Sequence, residues 1–110
     1  MAQQSLLQQA KELETHVNRL LMEHDVQMLG MPAQRAVGVL KNQLADARLD
    51  VRDYELAETR AEQLEAAKAA QTRFEELQRS ILKASEYQLL SAIDVAHMSA
   101  LAQKISTKLA

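Results

Sequence analysis

The chain has 110 residues, no cysteine and a formal net charge of −2. That excludes disulfides, thiol catalysis and thiolate metal sites, and it leaves no overall pull toward nucleic acid or anionic lipid. Apolar residues make up 47% but aromatics only 3%. The core must therefore be built from Leu, Ile, Val, Ala and Met, and small or unbranched side chains of this kind favour helices.

The N-terminal stretch MAQQSLLQQAKELE has neither a basic start nor an apolar signal core. No apolar run approaches the roughly 18 residues of a membrane span. A cytoplasmic protein with no membrane span is the expectation. Ser5 followed by Gln8 fits a capping box. Leu6, Ala10, Leu13, Val17, Leu20, His24 and Met28 then recur at three- and four-residue steps, one face of a helix over about residues 5–29.

All the strong helix breakers fall between Gly30 and Gly38. Gly30 is placed to end the first helix in a left-handed conformation, and Pro32 suits the first turn of the next. Gly30, Met31 and Pro32 thus read as a hairpin corner. Gly38 is expected to let the second helix pack closely against the first. Met22, Met28 and Met31 cluster here. Their expected role is to cap the open end of the hairpin, with an adaptable partner site as the other reading.

Val37, Leu40, Leu44, Ala47, Val51 and Tyr54 form the next stripe, at an alternating three-and-four spacing. It should pair antiparallel with the first helix. A shifted stripe follows, running Ala57, Ala61, Leu64, Ala67, Ala70, Phe74, Leu77 and Ile81 among strong helix formers. A second helix over about residues 33–83 is predicted. Ser85 with Gln88 then suggests a new capping box, opening a third helix over about residues 86–109. Its stripe is Tyr87, Leu90, Ile93, His97 and Leu101, with Leu89, Ala92, Ala96 and Ala100 beside it.

An unbroken helix over 33–83 would be roughly 75 Å long, whereas a compact domain of this mass is only about 35 Å across. The predicted fold is therefore all-α and a single helical domain over residues 1–110. It is an antiparallel, coiled-coil-like hairpin with a long central helix and a C-terminal helix, elongated and oligomeric. Leu7, Leu21, Leu49, Leu56 and Leu89 would be left as exposed flank for self-association. The alternative is a compact four-helix up-down bundle. It needs a break near Thr59, where Thr59 and Glu62 fit a further capping box.

No catalytic constellation stands out. There is no glycine-rich phosphate loop and no nucleophile elbow. Asp94 and His97 have the spacing of a di-iron half-motif with the wrong carboxylate. Glu12 and His16 lie one turn apart, while His24 and His97 sit in apolar stripes as core-edge residues. No metal, cofactor or small-molecule substrate is expected. Lys41, Arg48 and Arg52 share one side of a helix but are interleaved with Asp46, Asp50 and Asp53, a mixed-charge solvated face rather than a nucleic-acid footprint.

The segment ELQRSILKASEYQLLSAI, Glu76 to Ile93, resembles the C-terminal helix of type III secretion needle and rod subunits, where a Ser-Glu-Tyr-Asn-Leu run precedes a helix ending at the chain terminus. Ser85, Glu86, Tyr87 and Leu89 match, and Gln88 replaces the asparagine. The resemblance covers under a third of the chain. It implies, as one alternative, a needle- or rod-like subunit or its chaperone. The leading expectation is a non-enzymatic interaction protein, such as an adaptor, chaperone or assembly component. Its partners would be a second copy, as a homodimer, and another protein. Tyr87, Leu90, Ile93, His97 and Leu101 are the candidate partner-binding residues. A helical nucleic-acid regulator and a bundle enzyme or metal carrier are the remaining alternatives.

Overall fold

The computed structural model describes residues 5–109. Four α-helices follow one another: α1 (Leu6–Leu21), α2 (Met31–Leu56), α3 (Arg60–Glu86) and α4 (Ala92–Lys108). A single 3-10 turn, Val26–Met28, lies between α1 and α2. Each helix packs on the next and α1 packs on α4, closing a four-helix ring. No strand occurs among the described residues.

The all-α fold agrees with the sequence, and of its two arrangements the compact bundle is the one adopted. The long central helix is broken at residues 57–59. The principal extents are 47 × 30 × 17 Å, too short for a rod reaching from residue 31 to 86. The reason lies in the phase of the stripes. α2 buries Ala33, Val37, Leu40, Leu44, Ala47 and Val51, while α3 buries Ala67, Ala70, Phe74, Leu77, Ile81 and Ala84. On one continuous helix those stripes would lie roughly 110° apart. Folding back gives each stripe two neighbours instead of one. Leu21 and Leu89, exposed flank on an elongated rod, are buried here. Burial stabilises by about 25 cal/mol per Å² of apolar surface, and this outweighs the helical hydrogen bonds lost at the break.

Local signals supply the helix starts. Ser5 Oγ accepts from the Gln8 amide, Thr59 Oγ1 from Glu62 and Ser91 Oγ from Asp94, at 3.0, 3.1 and 3.1 Å. Each satisfies one of the orphan N–H groups of a first turn. The Leu7 amide donates to Glu55 Oε1 at 3.0 Å, so the end of α2 also caps α1.

Four boundary expectations are corrected. α1 stops at Leu21 rather than Leu29: Glu23 and His24 bond back in 3-10 fashion, and Asp25 Oδ1 accepts from Gln27 to start the next turn. Its buried face ends with Leu21, not Leu20. Gly30 is not left-handed; with φ −64° and ψ 158° it is the extended N-cap of α2, and Pro32 follows in the first turn. Gly38 makes no close helix contact: it is exposed, and a Cβ there would meet nothing within 4 Å.

The fourth correction concerns Ser85. It does not open a helix but belongs to the end of α3. Tyr87 is the C-cap, Gln88 takes φ +61°, the Leu89 amide donates to Ala84 O and the Gln88 amide to Ser85 O. This is a Schellman closure, sealed by burial of both Leu89 and Ala84. Sequence reasoning missed it because glutamine rather than glycine occupies the left-handed position. Ser91 is the cap that opens α4.

Candidate functional site

α4 turns a different face to the core than the one its stripe suggested. Met98, Ala102 and Ile105 are buried on the helix and Leu109 at its C-cap, a 4-3-4 spacing as regular as the expected one. The five candidate residues therefore do not form one face. Tyr87 is half-buried at the end of α3 and Leu90 is buried in the turn, both before α4 begins. Ile93, His97 and Leu101 remain aligned on α4; the first two are exposed and Leu101 is half-buried.

Four strongly exposed apolar residues, Ile93 among them, share one end of the bundle, while Leu56, 69% exposed, stands at the opposite end. Met22 is 80% exposed, Met28 82%, Met31 60% and Ile93 82%. They stand at the end of α1, in the 3-10 turn, and at the starts of α2 and α4. An up-down bundle brings all four of these positions to one end. His24 ties that end together, since its Nε2 lies 2.9 Å from Leu89 O. A carbonyl only accepts, so Nε2 carries the proton and donates across from the first corner to the α3–α4 turn. The methionines do not cap the hairpin, because Leu21, Leu89 and Leu90 already close the core there. The corner residues Gly30, Met31 and Pro32 belong to this end; Gly38 lies further along α2.

Several charged side chains are engaged within the fold. Arg48 Nε bonds Glu14 Oε1 of α1 at 3.0 Å. Arg73 reaches Asp50 at 3.3 Å, and Asp46 and Glu76 at 3.7 Å each, joining α2 to α3. Arg52 lies 3.9 Å from Asp53. Two of the three cations on the side of α2 thus face carboxylates of the same chain. At the end of α3, the hydrogen bond that the Lys83 ammonium donates to the Glu86 carboxylate, together with the carboxylate's charge, holds the Lys83 pKa above the ordinary lysine value. The Lys83 ammonium also sits 5.7 Å from the Tyr87 ring centre.

The histidines take distinct places. His16 of α1 and His97 of α4 meet edge to face with ring centres 5.2 Å apart. Asp94 lies in the first turn of α4, where a carboxylate suits the helix dipole. Among the described residues no group of three or more His, Asp or Glu is arranged to hold a metal ion. An open groove of about 450 Å³ near the α2–α3 turn is lined by Asp50, Asp53, Leu56, Ala57, Glu62 and Glu65 among others. Asp50 there is held by Arg73, and Glu62 accepts from the Glu58 amide at 3.1 Å.

No helix among the described residues is long and apolar enough to cross a membrane. No protein-family model matches the sequence, and comparison with curated proteins and with solved structures returns no match.

Proposed function

We propose that this protein is a non-enzymatic, cytoplasmic interaction module of the adaptor, chaperone or assembly-component kind, acting by self-association and by packing against a helix of another protein. One observation carries the reading: three methionines and an isoleucine, each at least 60% exposed, gather on one end of the bundle. Apolar side chains left in water at a shared place favour association. Methionine, unbranched and polarisable, adapts to a partner's surface at little steric cost. Ile93 and His97 continue that surface along α4.

Deleting α4 is no test, since the helix carries Met98, Ala102 and Ile105 into the core. The paired substitution Met28→Glu and Ile93→Glu is a better one, because both side chains lie outside the core. Pull-downs from the source cell should recover a partner with the wild-type chain and lose it with the double variant, at unchanged helical circular dichroism. Recovery of the same partners by both proteins overturns the reading.

A further inference from the structure

The reversal between α2 and α3 rests on three residues, Ala57, Glu58 and Thr59. None is glycine or proline, and neither flank supplies one. Ala57 has φ −60° and ψ 131°, Thr59 φ −122° and ψ 159°. Neither φ is left-handed, so rotation of a few torsions carries the segment into α-helix without steric penalty. The sequence around it, YELAETRAEQLEAAKAA, consists almost entirely of good helix formers. The last turn of α2 has no basic residue to favour its end. What holds the turned form locally is a pair of exposed contacts: Thr59 Oγ1 with the Glu62 amide, and Glu62 Oε2 with the Glu58 amide, both at 3.1 Å.

The contacts that hold α1–α2 against α3–α4 do not pass through this turn. They are the α2–α3 interface, the most extensive in the fold, and the α1–α4 interface. Arg73 to Asp46 and Asp50, Ser80 to Gln43, and the His16–His97 ring pair belong to them, and His24 to Leu89 joins the two corners beside them. Each can form equally well between two chains.

From this we infer that the chain has a two-copy state in which residues 57–59 become helical, α2 and α3 fuse into one helix over 31–86, and two copies exchange their α3–α4 halves. The fused helix is roughly 84 Å long. The 110° offset between stripes is no obstacle, because each half enters its own bundle. The exchanged dimer rebuilds two complete cores and adds the helical hydrogen bonds missing at the turn; exchange of identical elements is a low-cost route to a dimer. The inference gives a form to the self-association in the proposed function. It is independent of docking at the methionine end, which contains no hinge residue.

The test uses the full chain, refolded at millimolar and at micromolar concentration and sized by light scattering after chromatography. The variant Thr59→Ala with Glu62→Ala removes the caps of the turned form alone. It should raise the dimerisation constant about a hundredfold. The variant Ala57→Gly with Glu58→Gly penalises the fused helix in both chains and should lower the constant by roughly three orders of magnitude. Because the chain has no cysteine, Gln43→Cys with Ser80→Cys gives one defined site for a short bismaleimide. An exchanged dimer then runs as a covalent dimer on a denaturing gel. Two outcomes overturn the inference: wild type and cap variant both folded yet monomeric at millimolar concentration, or a dimer whose chains separate on that gel. The second leaves self-association, and so the proposed function, standing.

Discussion

Replacing Gly38 by alanine should stabilise the protein. Gly38 lies inside α2 on its outer face, and a Cβ added there meets nothing within 4 Å. The substitution therefore introduces no clash and removes only the cost of glycine. That cost is about 0.8–1.0 kcal/mol in a helix interior, mostly the larger backbone freedom that glycine loses on folding. The unfolding entropy of small proteins is about 2.1 cal/mol/K per residue, or roughly 0.23 kcal/mol/K for this chain. A gain of about 1 kcal/mol thus raises Tm by roughly 4 °C. Thermal unfolding followed at 222 nm, at low concentration where the single chain dominates, reads this directly. A Tm that stays level or falls would mean that Gly38 faces a close neighbour, such as another chain, and the argument from an open outer face would fail.

Three further outcomes follow from the same geometry. Gln88→Gly relieves a left-handed residue, which costs roughly 1–2 kcal/mol for an L side chain; set against the added freedom of the unfolded glycine, chemical denaturation should show a gain of about 0.5–1 kcal/mol, and a loss would contradict the Schellman closure. Phe74→Ala empties a fully buried position on α3 and should cost about 3–5 kcal/mol, lowering Tm by well over 10 °C; a loss under 1 kcal/mol would show that Phe74 is not central to the core. His24→Ala removes the hydrogen bond to Leu89 O, worth about 1 kcal/mol, and should speed amide exchange across residues 87–91; unchanged exchange there would show that this bond does not hold the two corners together.

Much of the fold is readable from single residues and their neighbours. The stripes of α2 and α3 from Val37 to Val51 and from Ala67 to Ile81 are buried as their spacing requires, because periodicity reports directly on which side of a helix meets apolar surroundings. The caps at Ser5 and Thr59 are likewise local, each needing only a hydroxyl three residues before an amide. Gln88 was opaque: any residue can take the left-handed position if the Leu89 and Ala84 burial behind it compensates, and that burial is not local. α4 was misread for a related reason. Its sequence is apolar on more than one side, so Ile93–His97–Leu101 and Met98–Ala102–Ile105 are equally good stripes until a core exists to select one. The methionine end was visible as a composition cluster, yet its exposure depended on Leu21, Leu89 and Leu90 closing the core beneath it.

By itself, the sequence of this protein determines that it is helical, where α1 and α3 acquire their N-terminal caps, and which faces of α2 and α3 are apolar. Those properties depend on residues within one or two turns of each other. Whether the chain runs on past Thr59 or doubles back, which side of α4 is buried and which apolar residues remain in water were decided only by the tertiary structure. Each of those choices compares burial among helices far apart in the chain, and a stripe gains a second neighbour only once the whole bundle has closed.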